Sequence, residues 1–177
     1  MHEQAWQELL KKLKTNQINE LTIDYNTIIV KISRFTELLG ALRENQSLTK
    51  ITLKEISGGM PCMPLTLGVI LKELLGHPGL TEIHLSSNHL SYVDQDSQLF
   101  QIFLNCMARF EIIDLSDNNL TRLPQASLKR LYETLENNPK LRILSLHETG
   151  LENMVHWQEL QAAKEKPCPA TSLQLSH

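Results

Sequence analysis

The chain has no excess of basic residues. Its 17 lysines and arginines are outnumbered by 20 aspartates and glutamates, for a formal net charge of -3, whereas nucleic-acid and anionic-membrane binders need a concentrated cationic footprint. Neither partner class is expected. Long hydrophobic runs are missing as well: no stretch reaches the roughly 18 apolar residues of a membrane span, and the opening MHEQAWQELLKKLKTNQ has no apolar signal core or small-residue cleavage site. Cysteine is scarce. Cys62, Cys106 and Cys168 are odd in number, widely spaced and without a C-x-x-C pair, which points to reduced thiols in a cytoplasmic protein. Cys62 is the exception to watch for metal or regulatory chemistry, because Pro61 and Pro64 flank it in an expected loop.

What is present is periodic. Five segments align on L-x-x-L-x-L-x-x-N: Ile18–Asn26, Leu48–Ile56, Leu80–Asn88, Phe110–Asn118 and Leu141–Thr149, with a partial sixth at Ala170–His177. Their starts fall 30, 32, 30, 31 and 29 residues apart. Between them, apolar residues recur at helical spacing over Ile29–Leu42, Leu65–Leu75, Leu99–Met107, Leu128–Leu135 and Met154–Leu160. Each unit is therefore a strand plus a helix. Pro64 and Pro124 stand where a first helical turn tolerates proline, and Gly76 and Asn137-Asn138-Pro139 where helices stop. Trp6, Leu9, Leu10 and Leu13 form one apolar stripe, so residues 1–17 read as an N-terminal capping helix. One α/β domain over 1–177 is expected, with six parallel strands.

These segments resemble the ribonuclease-inhibitor-like class of leucine-rich repeats, and the resemblance covers nearly the whole chain. It implies a horseshoe solenoid of about six strand-helix units, with a parallel sheet on the concave face and helices on the convex one. That curvature has a physical origin: a strand occupies about 4.8 Å of sheet width and a helix with side chains about 10 Å. The resemblance also implies an asparagine ladder at the ninth segment position, from which Ile56 and Thr149 depart. An irregular loop after Ile56 is expected.

Segment positions 1, 4 and 6 point to the core, leaving positions 3, 5, 7 and 8 for a partner. Position 3 runs Glu20, Lys50, Glu82, Ile112, Ile143, and position 5 runs Thr22, Thr52, His84, Asp114, Ser145, Gln174. Position 7 runs Asp24, Lys54, Ser86, Ser116, His147, Ser176, and position 8 runs Tyr25, Glu55, Ser87, Asp117, Glu148. Through the fifth segment, seven carboxylates face two lysines. Ile112 and Ile143 break the polar pattern as neighbours on adjacent strands, which suggests a covered patch. The candidate partner-binding residues are Ile112, Ile143, His84, Asp114, Ser116, His147, Glu82, Asp117 and Tyr25. Trp157 reads as core, and His2, His77, His89, His156 and His177 fall at helix ends, loops or termini, most of them as isolated surface histidines.

Catalysis is not expected. Position 5 does align His84, Asp114 and Ser145, but a nucleophilic serine needs the histidine beside it and the carboxylate behind, and here the aspartate lies between. Ser116 and His147 could form a dyad, yet an open polar face offers no oxyanion hole. No metal is expected either, since His84, Asp114 and His147 lack local ligand spacing. The expected function is protein–protein interaction by a monomer, without cofactors, with a partner carrying a basic surface. The resembled class includes inhibitors, immune-receptor sensors, GTPase activators and effectors that intracellular bacteria inject. The resemblance is compatible with a bacterial effector acting in a host cytoplasm. The alternatives are a GTPase-activating or other regulator of a small GTPase, which the resemblance implies, and a recruiting fragment of a larger protein, suggested by a final strand with no helix after it.

Overall fold

The computed structural model describes residues 3–24, 32–56 and 64–164. Helix α1 (Glu3–Lys14) leads into strand β1 (Glu20–Asp24), followed by α2 (Ile32–Glu44), β2 (Lys50–Lys54), α3 (Pro64–Leu75) and β3 (Glu82–His84). Then come α4 (Ser97–Met107), β4 (Ile112–Asp114), α5 (Gln125–Glu136), β5 (Ile143–Ser145) and α6 (Val155–Lys164). Short 3-10 turns at Leu90–Gln95, Leu120–Arg122 and Leu151–Asn153 join the last three strands to their following helices. The periodicity did not reveal these turns, because a single turn carries too few residues to show a period.

The five strands form one parallel sheet in chain order, β1-β2-β3-β4-β5; helices α1 to α5 pack side by side in the same order, and α6 meets α5 through Trp157 and Tyr132. Equal spacing produces this arrangement, since side chains about thirty residues apart become neighbours. Lys14 reaches Glu44, and Arg43 forms a two-pronged contact with Glu73. The sixth strand expected near Leu173–Leu175 lies outside the described residues, as do Cys62, Cys168 and Tyr25.

Alternation decides which face of the sheet is covered. Leu21, Ile23, Ile51, Leu53, Ile83, Ile113 and Leu144 are buried against the helices. Parallel sheets are usually covered on both faces; here the other face holds the polar columns and is open among the described residues. The helices bury the stripes expected of them, with Trp6 and Leu13 fully enclosed. Trp157 is core too, edge-on to Tyr132 at 5.4 Å between ring centroids.

Buried side-chain amides tie the units together. Asn118 donates to the carbonyls of Leu85, Leu115 and Ser116, and its Oδ1 accepts the N–H groups of Asn88 and Leu90. Asn88 repeats the pattern one unit earlier, donating to Leu53 and Ser86 and accepting from the backbone of Ile56. Ile56 is buried and its amide satisfied, so among the described residues the run of side-chain amides stops there; Asn26 and residues 57–63 lie outside them. Thr149 closes the other end through its hydroxyl, which donates to the Leu146 carbonyl and accepts the N–H of Leu151.

A second row lies at helix-to-strand corners, three residues before the second, third and fifth segments. Asn45 donates to the Leu13 carbonyl and accepts from Ser47 and Leu48, while Asn138 donates to Met107 and Phe110 and accepts from Lys140 and Leu141. His77 holds the same position before Leu80. It is not a surface histidine: only 5% of it is exposed, with Nε2 3.3 Å from Asn45 Oδ1 and Nδ1 buried without a partner. Arg109, in the next unit, seals the corner by donating to the carbonyls of Leu74 and His77.

Candidate functional site

The open face is a grid set by strand register. Glu20, Lys50, Glu82, Ile112 and Ile143 stand side by side across the five strands, as do Thr22, Thr52, His84, Asp114 and Ser145. Parallel pairing without a slip keeps each segment position in its own column.

Four of the candidate residues belong to one polar chain crossing the sheet. Lys50 Nζ lies 3.9 Å from Glu20 and 3.4 Å from Glu82. Glu82 Oε1 is 2.5 Å from His84 Nε2, and His84 Nδ1 is 3.2 Å from Asp114 Oδ2. Asp114 Oδ1 then accepts the Ser116 N–H, and Ser116 Oγ meets Ser145 Oγ at 2.8 Å. Hydrogen bonds to Asp114 and Glu82 raise the pKa of His84, with burial opposing them. Burial alone would raise the Asp114 carboxyl, but hydrogen bonds from His84 and Ser116 outweigh it and hold the group well below the usual carboxylate range. Glu82 is lowered in the same way: burial is overcome by His84 and Lys50.

Beside this chain, Ile112 and Ile143 meet in register, as their columns require. Ile143 is 44% exposed and Ile112 half-buried. Ser116 departs from the expectation of a partner-facing residue. It is only 9% exposed, because Asp114 and Ser145 take up its polar groups. His147 stands free of the polar chain, strongly exposed, with Nε2 3.4 Å from Glu148. Asp117 is exposed at the same end of the sheet, where its N–H bonds the His147 carbonyl.

One feature of the eighth column escaped sequence reasoning. Glu55, Ser87, Asp117 and Glu148 all adopt left-handed backbone, with φ of 53, 57, 57 and 55°. Aspartate tolerates this region, but glutamate adopts it at a cost. The signal was positional, since each precedes the ladder residue, but no glycine marked it.

The serines do not sit beside a histidine base. Asp114 separates His84 from Ser145 in the register, and Ser116 Oγ pairs with Ser145 rather than with His147. Cys106 is buried, and burial pushes its thiol up to about 12, so it is held as the neutral thiol. Among the described residues no group of three or more histidine, cysteine, aspartate or glutamate side chains is placed to hold a metal ion. No helix among them is long and apolar enough to cross a membrane.

The class defined by these elements is an α/β protein with a five-stranded parallel sheet in chain order and helices between the strands. No family model and no curated protein matches the sequence. Among solved structures, the tropomodulin C-terminal domain from Caenorhabditis elegans is similar at 15% identity, over 75% of this chain and 92% of that chain, with a TM-score of 0.46.

Proposed function

We propose that the chain is a short leucine-rich-repeat solenoid that binds a protein partner on the concave face of its sheet. The width mismatch between strand and helix bends the stack toward the strands, and the open face becomes the inner wall. The observation that carries the reading is the Ile112–Ile143 pair, an apolar step in register on a face otherwise lined with polar groups. Exposed apolar neighbours rimmed by polar residues mark contact sites, and a few such anchors dominate most interfaces. Asp117 and Glu148 carry negative charge at the C-terminal ends of the neighbouring strands, which favours a partner with a basic surface.

Affinity capture with wild-type protein and with the Ile112→Ser/Ile143→Ser variant tests this reading. The expected result is a protein retained by the wild type and lost from the variant at unchanged melting temperature. A variant that unfolds would make the isoleucines structural, and equal retention would remove them as anchors.

A further inference from the structure

Both ring nitrogens of His84 face carboxylates: Nε2 meets Glu82 on its own strand and Nδ1 meets Asp114 on β4. A neutral imidazole has one N–H and one lone pair, whereas an ionised carboxylate only accepts. Only the imidazolium can satisfy both neighbours. A neutral ring would leave one of them facing a lone pair, with Glu82 then relying on Lys50 or Asp114 on the Ser116 N–H.

Among the described residues the charges around this group are few. On the sheet face Lys50 approaches from β2 and also serves Glu20 of β1, Glu82 lies on β3 itself, and Asp114 lies on β4. In-register Thr52 and Ser145 are uncharged. With His84 protonated, Glu20, Glu82 and Asp114 face Lys50 and His84, a balance of one negative charge. Loss of that proton leaves three carboxylates against one lysine. All three side chains of the central group keep about a fifth of their surface exposed, so a partner can reach them.

We propose that Glu82, His84 and Asp114 form a proton-exchanging receptor for one cationic side chain of the partner, which takes the place of the histidine proton as it docks. This rests on the reading of the open face as a binding surface and names the group it recognises. The proton leaves His84 for solvent, and the incoming guanidinium or ammonium supplies the second donor that the two carboxylates require. Binding of a cation and protonation of His84 are then mutually exclusive, and each weakens the other by the same factor.

An oligo-arginine peptide serves as the probe, titrated at constant ionic strength of about 150 mM between about pH 5.5 and 9, the range in which a histidine changes charge. Affinity is expected to rise up to about tenfold per pH unit below the His84 midpoint and to level off above it. His84→Gln should bind with an affinity independent of pH, and His156→Gln, exposed and away from the open face, should keep the wild-type profile. Ring signals of His84 read by NMR in the wild type give a second measurement that does not depend on a variant folding. Saturating peptide should lower the His84 midpoint, and Glu82→Gln or Asp114→Asn should lower it in the free protein. The proposal is overturned by a midpoint that peptide leaves unmoved, by a pH profile that survives His84→Gln, or by a peptide that fails to bind at any pH. The last outcome would leave the Ile112–Ile143 docking reading standing, because apolar capture is judged separately.

Discussion

Asn118 Oδ1 accepts the backbone N–H of Asn88 at 2.9 Å, so each ladder asparagine fixes the loop that carries the previous one. The units are joined through these buried amides as well as through apolar packing. Asn118→Ala strands the buried carbonyls of Leu85 and Leu115 and the N–H groups of Asn88 and Leu90, while the Ser116 carbonyl keeps the Ser87 N–H. Urea denaturation should show a loss of about 3 kcal/mol or more, given the cost of unsatisfied buried groups. A change below about 1 kcal/mol would mean that water replaces the amide.

Leu115 is fully buried at the sixth position of the fourth segment. Leu115→Ala should cost about 2 to 5 kcal/mol by loss of apolar contact and creation of a cavity. Denaturation midpoints of wild type and variant check this directly. A much smaller loss would mean that the neighbouring units collapse into the space.

Two histidines make stability depend on pH in opposite directions. Burial, with the Arg109 charge beside it, lowers the His77 pKa below its ordinary 6.5. Its contribution is therefore complete above that value and is lost as pH falls through the folded midpoint. His84 is raised above 6.5 by Asp114 and Glu82, so its contribution is complete below 6.5 and is lost as pH rises through the folded midpoint. Melting temperatures across the pH range should show His77→Asn flattening the acid limb and His84→Gln the neutral-to-alkaline one. The asparagine at 77 has a further reason to be accepted, since Asn45 and Asn138 already fill the equivalent corners.

Charge on the open face should act on association rate. Asp117 and Glu148 are exposed, and their Asp117→Asn and Glu148→Gln replacements remove charge without disturbing the Lys50–Glu82–His84 network. Binding of the captured partner should slow as salt rises from about 50 to 300 mM, because exposed charges are screened within about 10 Å at 0.1 M. The double variant should lower the on-rate more than it raises the off-rate. An on-rate insensitive to both would exclude steering by this end of the sheet.

The columns were legible before any coordinates, because units of nearly equal length can stack only in register. Positions 1, 4 and 6 had to face the helices, and Ile112 had to meet Ile143. Boundary residues were readable for the same local reason: Pro64 begins α3, Gly76 follows its end, and Asn137 caps α5. The histidine at 77 was misread because its corner is defined by Asn45 and Asn138 in other units, and the three residues share a position without sharing a residue type.

Sequence by itself determined which residues share a face and which are neighbours across strands, since both follow from a period and a chain direction. It could not determine where a side chain turns once it is there. Ser116 turning to Ser145, His84 dividing itself between Glu82 and Asp114, and Arg109 covering His77 are choices among several polar partners within reach. Only tertiary structure decides such choices, because the free energy of a half-buried hydrogen bond depends on the distance, the burial and every competing donor around it.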